Sequence, residues 1–164
     1  MVNNNYLKVG CVIPVCHLGK PIDNANEIIK CAKRITDADI ICFPEMCLTG
    51  YSLGDWIVNK ELLDNANKAL QMVVNESNDS VWLVGGPLNL NGDLYNVCYV
   101  IQNKKILGVV PKMHLSNYRE FNDGRSFKSG LEYSNKTLTI EVLDQLVNFG
   151  AMIFENKHAS FGVE

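Results

Sequence analysis

Ile40-Ile41-Cys42-Phe43, stopped by Pro44 and followed by Glu45, is the stretch that decides the fold. Four consecutive apolar residues are too few for a buried helix and suit a strand covered on both faces. Upstream, Pro21 opens a segment whose apolar residues Ala25, Ile28, Ile29, Ala32 and Ile35 recur at helical spacing. Pro21 fits a first helical turn, where its missing N–H would have no partner anyway. Further back, Leu7-Lys8-Val9-Gly10-Cys11-Val12-Ile13 is a short β-rich run ended by Pro14. Strand, helix and buried strand in that order predict a βαβ unit with a right-handed crossover, and a cleft just past the carboxyl end of the second strand. Glu45 stands at that point.

Downstream the alternation repeats. Leu62, Leu63, Ala66, Ala69, Leu70 and Val73 mark a second helix, and Val81-Trp82-Leu83-Val84 a strand bounded by Gly85-Gly86-Pro87. Then the texture changes: Asn91-Gly92-Asp93 separates two β-rich stretches, and Asn103-Lys104 separates residues 95–102 from 105–110. Both are hairpin signals, so the sheet should be mixed. Residues 111–130 are polar, aromatic and glycine-containing without a clear period, which is long for an idle connection and points to a functional loop. Ala159-Ser160-Phe161-Gly162-Val163-Glu164 reads as a strand in progress with no polar tail, and a sheet cut there would leave unpaired backbone groups. The expectation is a truncated product.

With 47% hydrophobic and 20% charged residues in 164, the chain can build one core. A net charge of -3 without blocks of like charge argues against nucleic acid or a membrane surface as partner, and favours a small, weakly charged substrate. The polar start Met1-Val2-Asn3-Asn4-Asn5 is unlike a secretory signal, and no apolar run nears the roughly 18 residues that span a bilayer, so a cytoplasmic location is expected. The six cysteines, at 11, 16, 31, 42, 47 and 98, form no CxxC pair and read as free thiols.

A carboxylate at the end of a buried strand is costly unless it is hydrogen-bonded, paired or used, which makes Glu45 a candidate general base; standing alone it could equally be a solvated loop acid. The surrounding residues Phe43-Pro44-Glu45-Met46-Cys47-Leu48-Thr49-Gly50-Tyr51, with Gly54-Asp55, closely resemble the glutamate motif of the nitrilase superfamily of carbon–nitrogen hydrolases. Pro111-Lys112-Met113-His114-Leu115-Ser116-Asn117-Tyr118-Arg119-Glu120-Phe121 resembles its lysine motif. Gly50-Tyr51 and Tyr118-Arg119-Glu120-Phe121 are similar to the branch formed by the glutaminase domains of glutamine-dependent NAD synthetases.

The resemblance implies an αββα sandwich, here its N-terminal part with a mixed sheet, and an active site of glutamate, lysine and cysteine. Glu45 would take the thiol proton and later activate water; Lys112 would stabilise the oxyanion. Both roles are physically sound, because a thiol of ordinary pKa near 8.5 needs a base within roughly 2.6–3.2 Å, and an ammonium acts best where charge develops. Glu120 would be a second acid that positions the lysine and substrate, and Tyr51, Tyr118 and Phe121 would line the glutamine pocket. The family's nucleophilic cysteine lies at the end of a strand similar to Phe161-Gly162-Val163-Glu164, just past the last residue, so this chain does not contain it and should be inactive alone. Cys42 and Cys47 flank Glu45, but the first belongs to a buried run and the second matches a variable position.

His17, His114 and His158 fall on separate segments without metal-ligand spacing, and Gly85-Gly86-Pro87 lacks the spacing and lysine of a phosphate-binding loop. No cofactor is expected in this chain. The resemblance places ATP and magnesium in a C-terminal synthetase domain that is absent here, with glutamine and that domain as partners and homo-oligomers common. Two rivals remain open: a stand-alone amidase or carbamoylase of the same superfamily, and a non-catalytic pseudo-hydrolase that kept the fold as a binding module.

Overall fold

The computed structural model of the protein describes residues 6–155 and 159–164. The polar start at 1–5 and His158 lie outside the described residues. The elements run β1 (Val9–Cys11), α1 (Pro21–Ala32), β2 (Ile40–Cys42), α2 (Lys60–Glu76), β3 (Val81–Leu90), β4 (Asp93–Gln102), β5 (Lys105–Pro111), β6 (Thr137–Val142), β7 (Gln145–Gly150), β8 (Ile153–Glu155) and β9 (Ser160–Gly162).

The first seven strands make one mixed sheet in the order β1-β2-β3-β4-β5-β7-β6. β1, β2 and β3 are parallel, as the strand–helix–strand reading requires, while β3, β4 and β5 are joined by antiparallel hairpins. Asn91-Gly92 and Asn103-Lys104 turn these hairpins with positive φ at both central residues, the geometry that matches strand twist. Leu143-Asp144 does the same between β6 and β7.

α1 starts on Pro21 and turns Ala25, Ile28 and Ala32 inward. Ile35 lies beyond its end and packs near Gly10. α2 is capped by Asn59, whose side-chain oxygen accepts the Leu62 N–H at 3.2 Å, and buries Leu62, Ala66, Ala69, Leu70, Val73 and Val74. Both helices cover one face of the sheet around Trp82, Val84, Tyr99, Ile101 and Phe149. Trp82 is fully buried there; its truncation to alanine would cost about 3–5 kcal/mol.

β3 does not stop at Gly85-Gly86-Pro87, as its turn-forming composition predicts, but runs through to Leu90. β2 pairs only with residues 81–83, so the missing N–H of Pro87 falls on a stretch with no strand on that side, where proline is tolerated. Glycine is required at 85 for a different reason, which concerns the site.

Alternate residues of the same strands point to the other face, where Val81, Leu83, Val100 and Val110 meet Met152, Phe154, Phe161 and Val163. Those partners come from the β8–β9 ribbon and its flanks, a second, two-stranded sheet. Gly108 lets it approach: a Cβ there would meet Met152 Sδ at 2.5 Å. Helices, sheet and second sheet thus stack in the order that the resemblance implied. Among the described residues no helix is long and apolar enough to cross a membrane.

Candidate active site

Beyond β2 the chain makes a tight turn over the side of β3. The Phe43 N–H donates to Leu83 O at 3.0 Å and the Leu48 N–H to Gly85 O at 3.1 Å, with Met46 in the left-handed region at φ 54°. A side chain at Gly85 would strike this turn, because its Cβ would lie 2.6 Å from Met46 N and 2.7 Å from Pro44 O. The absence of that side chain seats Glu45 on the sheet.

Lys112 follows the last residue of β5, its N–H donating to Asn96 O at 2.8 Å. This carries the β4–β5 ladder one residue further and aims the lysine at the same place. Lys112 Nζ lies 2.7 Å from Glu45 Oε1 and 2.8 Å from Asp123 Oδ2. Asp123, buried at 3% side-chain exposure, is held further by the Tyr51 hydroxyl and by the Ser116 N–H at 3.0 Å. The Asn96 side-chain amide donates to Glu45 Oε1 as well.

These contacts set the charge states. Burial works to lower the Lys112 pKa, but the hydrogen bonds to Asp123 and Glu45 outweigh it and hold the ammonium above the ordinary lysine range. Burial likewise works to raise Asp123, and the hydrogen bonds from Lys112, Tyr51 and the Ser116 N–H overcome it and hold the carboxyl below its usual value. Burial, then the hydrogen bond to Asp123, pushes the Tyr51 phenol up. The result is a charged lysine paired with an ionised Asp123, with a neutral phenol closing the network.

Glu45, Lys112 and Asn96 line a cleft of about 360 Å³ together with Cys42, Cys98, His114, Val163 and Glu164. The tail after β9 therefore reaches the cleft that holds the Glu45–Lys112 pair. Cys42, read from the sequence as part of a buried run, is half-buried and lines this cleft. None of the nearby thiols is activated: burial and Cys11 raise Cys42, and burial pushes Cys47 and Cys98 up to about 12.

Of the other residues singled out from the sequence, Tyr51 is in the network, and its ring stands edge-on to Phe121 with centroids 6.0 Å apart. Tyr118 is 69% exposed with the Arg119 guanidinium over its ring. Glu120 is exposed in a neighbouring cleft of about 550 Å³ with Tyr51, Phe121 and Asp123. The second acid bonded to Lys112 is Asp123, three residues further along the same loop. Asp123 and Asn96 were not anticipated; the loop was, but its acids could not be ranked without knowing which one turns inward. Among the described residues no group of three His, Cys, Asp or Glu side chains is placed to hold a metal ion.

The carbon–nitrogen hydrolase family profile matches residues 9–158. The glutamine-dependent NAD(+) synthetase of Mycobacterium tuberculosis is 36% identical over 131 residues, which are 77% of this chain and 19% of that protein. The glutamine-dependent NAD(+) synthetase structure from Cytophaga hutchinsonii superposes with a TM-score of 0.86 at 22% identity, over 95% of this chain and 27% of that one. The glutamine-dependent NAD+ synthetase of Acinetobacter baumannii gives 0.72 at 28% identity, over 87% of this chain and 27% of that one. The chain thus spans about a fifth to a quarter of the length of these relatives.

Proposed function

The chain belongs to the carbon–nitrogen hydrolase family, and on that premise we propose that it contributes the base and the oxyanion-stabilising cation of a glutamine amide hydrolysis that supplies ammonia for NAD synthesis from deamido-NAD. The reading is supported above all by one observation: Glu45 and Lys112, 67 residues apart in sequence, meet at 2.7 Å in a cleft that Val163 and Glu164 also line.

In the proposed reaction a thiol presented beside Val163-Glu164 attacks the glutamine side-chain carbonyl. Glu45 takes the thiol proton, and Lys112, kept cationic by its carboxylates, stabilises the oxyanion. Collapse of the tetrahedral intermediate expels ammonia, which leaves with the proton held by Glu45, and a thioester remains. Water then attacks the thioester, Glu45 accepts its proton, and glutamate and the free thiol are released. Asp123 and Tyr51 keep the lysine charged and aimed. Tyr51, Phe121, Tyr118 and Glu120 would border the substrate.

The thiol is proposed to belong to sequence following Glu164, and ATP and magnesium to a synthetase domain beyond it, so no step here runs through either. Glutamine, that domain and further copies of the protein are the proposed partners. The test is glutamate release from glutamine. The 164-residue chain should give none above a protein-free blank, whereas the protein expressed from its whole gene should release glutamate and lose that activity in Glu45→Gln. Release by the 164-residue chain, or none by the whole gene product, would overturn the proposal.

A further inference from the structure

Asn96 is one of few buried polar side chains among the described residues, 3% exposed on β4, and it sits on the cleft face rather than the helix-side core. An amide there is costly unless it is hydrogen-bonded, and an apolar residue of the same size would fill the position without that cost. Its side-chain NH₂ donates to Glu45 Oε1, the same oxygen that accepts from Lys112 Nζ at 2.7 Å. Two donors therefore converge on Oε1, and among the described residues none donates to Oε2.

We propose that Asn96 is a positioning residue that fixes the Glu45 carboxylate by Oε1 and leaves Oε2 as the single oxygen that receives a proton. The inference rests on the hydrolytic reading of the Glu45–Lys112 pair and adds which oxygen acts and what selects it. The chemistry is consistent on both sides of the transfer. Before it, Oε1 is a carboxylate oxygen accepting two N–H donors. Afterwards Oε2 carries the proton and Oε1 is a carbonyl oxygen, which still accepts both. The carboxyl plane need not turn between the two states, so a proton taken from one group can be returned to another from the same point. Lysine alone would leave the carboxyl free to rotate about its single contact, whereas a second, neutral donor from a different strand fixes the plane and does not titrate.

Only the side chain is at stake, because the Lys112 N–H bonds to the backbone oxygen of residue 96 whatever the residue. Asn96→Leu should therefore keep Lys112 in place and release Glu45 alone. In the whole gene product, kcat for glutamate release should fall about 100-fold with KM changed less than about threefold. Asn96→Asp, which sets a second carboxylate against Glu45, should be impaired at least as severely.

A spectroscopic readout separates this from the hydrolytic reading. The Asn96 side-chain NH₂ resonances should move on acidification in the wild type and stay in place in Glu45→Gln. That control separates Glu45 from the other titratable groups around it: Lys112, Asp123 bonded to Lys112, Tyr51, Cys42, Cys98, His114 and Glu164. Amide resonances that ignore both pH and Glu45→Gln, or an Asn96→Leu variant with unchanged kcat, would overturn the proposal. A wild type that releases no glutamate while its Asn96 amide follows Glu45 would instead remove the glutamine reading and leave Asn96 as the group that holds Glu45.

Discussion

Lys112 Nζ lies 2.8 Å from Asp123 Oδ2, a carboxylate only 3% exposed that also receives the Tyr51 hydroxyl. The pair gives the lysine a second carboxylate besides Glu45, so the ammonium keeps a counter-ion whatever happens to the Glu45 proton. Asp123→Asn should cost about 2 kcal/mol at neutral pH, short of the roughly 3–5 kcal/mol of a fully buried pair because Lys112 is 22% exposed and keeps Glu45.

The pH dependence of that loss has a definite sign. Asp123 is held below its ordinary value, so its stabilisation is complete above the unfolded-state pKa of about 4 and disappears as pH falls through the lower folded value. Lys112 is held above its ordinary value, so its contribution is complete below about 10 and is lost as pH rises through the higher folded value. Melting curves of the wild type and Asp123→Asn should differ from pH 5 to 9 and converge in acid. A constant difference down to pH 2 would contradict the assignment.

Glu120 and Asp123 share one loop but not one environment. Glu120→Gln should leave stability within about 0.5 kcal/mol, as for other exposed substitutions. It should also reduce glutamate release less than Asp123→Asn does. Steady-state kinetics of the two variants, side by side, decide which acid supports the lysine.

Gly85→Ala should damage the site through the backbone that carries Glu45. The added Cβ would force the Pro44–Met46 backbone away from β3, at about 1–3 kcal/mol of overpacking, and move Glu45 with it. The expected result is a folded protein with lowered melting temperature and glutamate release reduced about 100-fold. Normal activity would show that the turn can shift without carrying Glu45.

Thiol alkylation followed by mass spectrometry should divide the cysteines. Cys11 and Cys16 are exposed and should react first. Cys47 and Cys98, pushed up to about 12, should react at least about 100-fold more slowly at pH 7.5. Fast labelling of Cys47 would revive it as a nucleophile.

The strand–helix–strand opening was legible because Ile40 to Phe43 and the α1 spacing each fit one element only, and the hairpins at Asn91-Gly92 and Asn103-Lys104 carried turn residues suited to positive φ. Leu143-Asp144 makes the same turn without an announcing glycine or asparagine, so β6 and β7 were not separable beforehand. Gly85-Gly86-Pro87 resembled a strand end because turn composition there reflects close approach of the Glu45 turn rather than a reversal of the chain. Glu45 and Lys112 were identifiable from their neighbours in sequence. Asp123 and Asn96 were not, since what distinguishes them is burial and the direction of one side chain across the sheet face, which local sequence does not encode.

The most direct measurement of the central claim is covalent trapping with an electrophilic glutamine analogue on the protein expressed from its whole gene, followed by peptide mapping. The account predicts one labelled cysteine, in the peptide that follows Glu164, with labelling slowed about 100-fold in Glu45→Gln. Label on Cys42, Cys47 or Cys98, or no label at all, would contradict it.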